Sequence, residues 1–167
     1  LDQLRSKVAV VHQSGFLFAR TIAENIALGA PGATREEVID AAKVARVDLF
    51  IQTLPNGYDT ELNELGKRLS GGQAQRISLA RALVRKTPVL VLDEATNQVD
   101  AKTEADILSA LNQLRGECTV IMVAHNLSAV RDSDRIVVMD DGKVVEAGTH
   151  NELVVANGRY ANLWRVQ

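Results

Sequence analysis

Leu69-Ser70-Gly71-Gly72-Gln73-Ala74-Gln75-Arg76 is the stretch whose reading decides the fold. Ser70 and Gln73 have the Ser-x-x-Gln spacing of a capping box, which predicts a helix beginning at this point. Gly71 and Gly72 leave backbone N–H groups uncovered, and the helix dipole adds partial positive charge, so the turn suits an anion. Taken alone, the string also reads as no more than a capped helix start behind a glycine turn. Outward from it, the helix is expected to run from Ser70 towards Lys86. Its apolar face is Ile77, Leu79, Ala80, Leu83 and Val84, and Arg76, Arg81 and Arg85 are solvated or paired. Thr87-Pro88 stops it. Val89 to Leu92 follows, apolar throughout and expected to be buried on both faces, and it ends in Asp93-Glu94.

The string LSGGQAQR with VLVLDEAT behind it resembles the ATP-binding domain of ABC transporters. The resemblance implies an α/β fold: a P-loop NTPase-like core of mostly parallel strands with flanking helices and an inserted helical subdomain. It makes Leu69 to Gln73 the signature motif, Val89 to Asp93 the Walker B strand and Glu94 the catalytic carboxylate. Asp93 then suits Mg²⁺, which keeps waters and takes few carboxylates. Glu94 suits polarising the water that attacks the γ-phosphate. The family dimer is head to tail, so Ser70, Gly71, Gly72 and Gln73 would bind ATP in trans.

Other runs fit the same frame. Val8 to Val11 reads as a buried parallel strand followed by His12 and Gln13. The resemblance makes Gln13 the Q-loop glutamine, which touches Mg²⁺ and the attacking water and senses the membrane partner; His12 is read as a loop residue without a role. Phe16 to Phe18 is either core or part of the surface that receives a transmembrane coupling helix. Val120 to Ala124 is a third buried run, and the resemblance makes His125 after it the H-loop histidine, which contacts the γ-phosphate. If the three strands are parallel, Gln13, Asp93, Glu94 and His125 reach one edge of the sheet. Asp100 holds the D-loop aspartate position, while Asn97 and Gln98 depart from the family's usual Ser-Ala-Leu-Asp. Glu64 occupies the place of an exporter's Glu-bearing loop, with Asn63 where a glycine is usual.

The remaining elements are read from periodicity and turn chemistry. Thr34 to Val47 predicts an amphipathic helix with Val38, Ala41, Ala42 and Ala45 on one face, continued apolar side in by Leu49-Phe50-Ile51. Ala101 to Leu114 predicts another, with Ala105, Leu108, Leu111 and Leu114 inward. Asp140-Asp141-Gly142-Lys143 between two apolar runs predicts a hairpin. A final helix carries Tyr160, Leu163 and Trp164, with His150 and Trp164 in structural roles. The expected division is a helical subdomain over 27–86, with 1–26 and 87–167 in the catalytic core.

The chain has 167 residues, 46% hydrophobic and 24% charged, which suits one domain or a large piece of one. A net charge of -2 points away from nucleic acid as a partner. Cys118 is the single cysteine, so no internal disulfide forms. No apolar run approaches the ~20 residues that span a bilayer. No Gly-x-x-x-x-Gly-Lys-Ser/Thr string occurs, and the resemblance places that phosphate loop upstream of the Q-loop. The chain is therefore expected to be a piece of a longer protein that begins before Leu1.

The function this implies is ATP binding and hydrolysis driving export, with ATP and Mg²⁺ as cofactors. Its partners would be a transmembrane domain and a second ATP-binding domain, at the cytoplasmic face of a membrane. The alternative is a truncated or degenerate subunit that supplies only a signature face; Glu94 and His125 speak against it. A chromosome-organising ATPase head would need a long heptad coiled coil, and none lies between Gln13 and Leu69.

Overall fold

The computed structural model describes residues 2–62, 69–96 and 99–166. Asn63, Glu64, Asn97 and Gln98, which carry two of the readings above, lie outside the described residues. The chain divides into two compact units, one running to Val123 and the other starting at Ala124.

The first unit is built on three parallel strands in the order β1 (Val8–Val11), β2 (Val89–Asp93), β3 (Thr119–Val123). The register pairs Val11 with Leu92 and Asp93 with Val123, so all three strands end level. Parallel neighbours require long crossovers. The first crossover carries the helices: α1 (Asp2–Arg5) precedes β1, and α2 (Ile22–Ala27), α3 (Arg35–Val44), α4 (Asp48–Gln52) and α5 (Gly71–Leu83) follow it. The second crossover carries α6 (Ala101–Gln113).

The caps follow from the sequence. Thr21 with Glu24, Thr34 with Glu37 and Ser70 with Gln73 each close a reciprocal capping box, satisfying two otherwise unpaired backbone donors per helix. At its other end, α3 stops short of the expected Val47. Arg46 takes a left-handed φ of 57°, which no helix continues through. The chain restarts in α4 with the Asp48 carboxylate accepting from Tyr58 Oη at 2.6 Å and from Gln52 Nε2 at 2.8 Å. That restart changes the phase: Ile51 is buried, but Leu49 is 80% exposed, against the expectation that it faces inward.

Val38, Ala41, Ala42 and Ala45 pack inward as the periodicity requires, together with Ile22, Ile26, Ile77 and Leu79. In α6 the buried positions are Thr103, Ile107, Ala110 and Leu111, followed by Leu114, and Ala105 faces outward. Leu108 packs against the core and Leu111 and Leu114 are buried as expected, so Ala105 alone of the expected face departs, and Ile107 lies inward in addition. The strands also differ from expectation. Ala9, Val11, Leu90 and Leu92 are buried under the helices, whereas Val10, Ile121 and Val123 are 46%, 49% and 49% exposed. Only one face of this sheet is closed by the described residues, although parallel sheets ordinarily have both faces covered.

The second unit is a hairpin with two helices. β4 (Ile136–Asp140) and β5 (Lys143–Gly148) pair antiparallel across Asp141 and Gly142, both at positive φ, the twist a two-residue hairpin turn needs. α7 (His150–Val155) and α8 (Arg159–Val166) are separated at Asn157-Gly158, so the expected single helix is two. The Glu146 carboxylate accepts the backbone N–H groups of Arg159 and Tyr160, which fixes the start of α8. His150 Nδ1 lies 2.9 Å from Tyr160 Oη and its ring 4.6 Å from that of Trp164, the structural roles expected of this pair.

Ile77 is fully buried on the inner face of α5, among α2, α3 and β1. Ile77→Ala is expected to cost about 2–5 kcal/mol, measured as a lower urea midpoint with an unchanged slope.

Candidate functional site

Three parallel strands that end level put chemistry at one rim, because the residues after each strand leave the sheet together. Gln13 follows β1 by two residues and is exposed. Asp93 closes β2, also exposed, with Glu94 next to it. The parallel register thus gives Gln13 and the two carboxylates a common edge. His125 follows β3 by two residues in sequence, is exposed and belongs to the second unit.

Glu94 sits at φ 51°, a left-handed conformation uncommon for a side chain of this kind. Its N–H donates to Val123 O at 3.0 Å, so the last residue of β3 holds the strained turn. Strain fixed by a neighbouring strand is the sort of cost found where a side chain must be aimed. His12, expected to be a loop residue without a role, has its Nδ1 3.9 Å from Asp93 Oδ2. The signal for it was register: His12 follows the pair Val11–Leu92 just as Asp93 does.

Asp93 and Gln13 fit Mg²⁺ in the way this ion is usually held, by one or two protein oxygens with water and phosphate completing the shell. Among the described residues, no group of three or more His, Cys, Asp or Glu side chains gathers as a metal cage.

The Ser70 turn is a second anion-suited feature. Ser70 Oγ accepts the Gln73 N–H at 3.2 Å, and Gln73 Oε1 accepts the Ser70 N–H at 2.9 Å. Gly71 is exposed and Gly72 is buried. The boxes on α2, α3 and α7 use Glu24, Glu37 and Glu152; α5 uses the neutral Gln73 and has no acid in its first turn. Its positive end is therefore not cancelled from within the helix.

Behind this turn α5 is tied to α6. A Cβ on Gly72 would stand 2.8 Å from both Cγ2 and Oγ1 of Thr103, so only glycine allows the approach. Thr103 Oγ1 donates to Asp100 Oδ2 at 2.7 Å, and Asp100 Oδ1 accepts the Thr103 N–H at 3.0 Å as the cap of α6. These bonds from the Thr103 side chain and backbone lower the Asp100 pKa. Arg76 Nη1 reaches Asp106 at 3.3 Å and the Arg46 carbonyl at 2.9 Å. A cavity of about 710 Å³ lies here, and its lining includes Ser70, Arg46, Lys43, Lys102, Asp100 and Arg76.

A family model described as ABC transporter matches residues 1–97, more than half of the chain. The chain belongs to the ABC transporter family. It is 48% identical over 164 residues to a putative multidrug export ATP-binding/permease protein of Staphylococcus aureus strain NCTC 8325 / PS 47. The counterpart in the bovine strain RF122 / ET3-1 is equally similar. Both alignments cover 98% of this chain and 28% of the relative. A solved bacterial Atm1-family ABC exporter with ATP bound is 46% identical and superposes with a TM-score of 0.93 over 99% of this chain and 29% of the other. The chain therefore spans under a third of the length of the relatives it matches.

Two outcomes are expected of the α5–α6 contact. Gly72→Ala should destabilise by about 1–3 kcal/mol through overpacking, and Thr103→Ala in the same chain should return part of that loss. A double-mutant cycle from urea unfolding checks the coupling. Asp100 has a depressed pKa, so its contribution is full above the ordinary aspartate range, near 4, and fades as pH falls through its lower folded value. Stability measured against pH should therefore fall more steeply in acid for the wild type than for Asp100→Asn.

Proposed function

We propose that this chain is part of an ATPase that drives export across a membrane, working with a transmembrane domain and a second ATP-binding domain. The observation that carries the reading is Glu94. A carboxylate held in a strained backbone turn, next to Asp93 and level with Gln13, is the arrangement phosphoryl transfer to water needs. Mg²⁺ bound beside Asp93 and Gln13 would neutralise charge on the β- and γ-phosphates. Glu94 takes the proton of the attacking water as general base. Gln13 orients that water, and His125 donates a hydrogen bond to the γ-phosphate.

Ser70 to Gln73 acts on the nucleotide held by the facing domain. The uncovered N–H groups at Gly71 and Gly72, the Ser70 hydroxyl and an uncancelled helix dipole together favour a phosphate there. Asp100 stands at the head of α6 behind that turn, where it also belongs to the face that meets the second domain. The helical block over 27–86 is the part that carries the signature. Among the described residues no helix is long and apolar enough to cross a membrane. The ATP-binding/permease relatives support assigning the membrane-spanning part to a transmembrane partner and this chain to the cytoplasmic face.

Hydrolysis of Mg-ATP by the full-length protein tests the reading. Glu94→Gln is expected to lower kcat about 10²–10⁴-fold while nucleotide still binds. Undiminished turnover in that variant would remove Glu94 from the role.

A further inference from the structure

The cavity of about 710 Å³ beside Ser70 is walled by the corner between α3 and α4, the start of α5 and the start of α6. That is room enough for a small molecule. Its described lining holds three carboxylates, and each is already engaged. Asp48 accepts from Tyr58 and Gln52, Asp100 accepts twice from Thr103, and Asp106 pairs with Arg76 at 3.3 Å. Of the four cations in the same lining, Arg76 is thus taken up by Asp106, and Lys43 by Asp40 at 3.4 Å.

Arg46 and Lys102 are left over. Both are exposed, and neither is ion-paired with a carboxylate among the described residues. The Arg46 guanidinium reaches the Ser109 hydroxyl at 3.4 Å, longer than an ordinary hydrogen bond. Its backbone, by contrast, is fixed: at φ 57° its carbonyl accepts Arg76 Nη1 at 2.9 Å. Lys102 stands in the first turn of α6, where a cation opposes the helix dipole. A residue placed against a local rule is a pointer to function. The uncancelled start of α5 adds positive potential to the same cavity. Leu49, 80% exposed, gives it an apolar wall, which a nucleoside can cover and an inorganic anion cannot.

We propose that Arg46 and Lys102 bind the polyphosphate of the nucleotide held by the facing domain, through this cavity and in addition to the Ser70 turn. The proposal rests on the ATPase reading above and adds to it two charged contacts outside Ser70–Gln73. Mg²⁺ offsets only part of the charge of a nucleoside triphosphate, so the complex arrives as an anion. Arg46 offers a planar fork that takes two phosphate oxygens at once, and Lys102 a compact charge on a flexible stem. Leu49 covers the apolar side of the sugar or base. Bringing the nucleotide in gives both cations the counter-charge that this chain withholds from them.

The test uses the full-length protein in lipid nanodiscs with Glu94→Gln, so that Mg-ATP binds without turnover. Spin labels on the two ATP-binding domains report the Mg-ATP concentration that half-closes them. Arg46→Gln and Lys102→Gln are each expected to raise that concentration about 10-fold. Arg46→Lys is expected to recover part of the loss. Lys143→Gln, in the hairpin of the second unit, is the control and is expected to change nothing. The effect is expected to shrink in about 0.5 M KCl, where exposed charges are screened within a few ångströms. An unchanged midpoint in both cation variants would overturn the proposal. So would a shift that persists in high salt and is not recovered by Arg46→Lys, since shape rather than charge would then be at work. Those failures leave the ATPase reading standing. A wild type without hydrolysis, and a Glu94→Gln protein that Mg-ATP does not close, would sink that reading and this proposal with it.

Discussion

The first unit depends on how one buried amide, Asn25, is satisfied. An amide offers two donors and an acceptor with two lone pairs, and an unmet one in the interior costs about 1–3 kcal/mol. Here Oδ1 takes the Phe18 N–H and the Arg81 guanidinium, and Nδ2 serves the carbonyls of Phe18 and Thr21. Arg81 in turn has no carboxylate among these partners; main-chain and amide oxygens surround it. Burial lowers its pKa, yet a guanidinium stays charged at any ordinary pH. A permanent charge met only by fixed dipoles demands its geometry, because no mobile counter-ion can follow it. The irregular stretch between β1 and α2 is thereby pinned at Phe16 and Phe18.

The chemistry at the rim of the sheet follows from strand register. Parallel strands in register make the three carboxyl ends level, and the Val123 carbonyl then captures the Glu94 N–H. The strained turn at Glu94 exists because β3 is there to hold it. His12 comes within 3.9 Å of Asp93 for the same reason. Neither contact needs a dedicated residue pattern; both are consequences of pairing.

Much of this was legible in the sequence, and the reasons are physical. Thr34–Glu37 and Ser70–Gln73 are local rules, satisfied within four residues, so the helix starts can be read off. The hairpin at Asp141-Gly142 is equally local. Strand identity at Val8, Val89 and Val120 follows from apolar runs too short for helices. What could not be read was exposure. Val10, Ile121 and Val123 look like core residues by composition, but whether a face is covered depends on what packs against it. Leu49 fails for another reason: a left-handed residue at Arg46 resets the helical phase, and periodicity counted across a reset puts the wrong side inward. Arg81 is expected only to be solvated or paired, and its acceptors stay unnamed by the sequence because they are carbonyls more than 50 residues away.

The four capping boxes separate structure from function in a way that spacing alone does not. Glu24, Glu37 and Glu152 each have a lowered pKa because they accept bonds at a helix start; for Glu37 a bond from Lys86 adds most. Charge at the first turn of a helix stabilises it, so a glutamate is the expected choice. α5 uses Gln73, which closes the same bonds and forgoes the charge. The α5 start is thus held by hydrogen bonds and by its seams with α6 and the 12–18 segment, and its dipole remains uncancelled. A helix start held in this way keeps its uncovered N–H groups open to an anion. The seams replace, mechanically, the stability that an acidic cap would have supplied electrostatically.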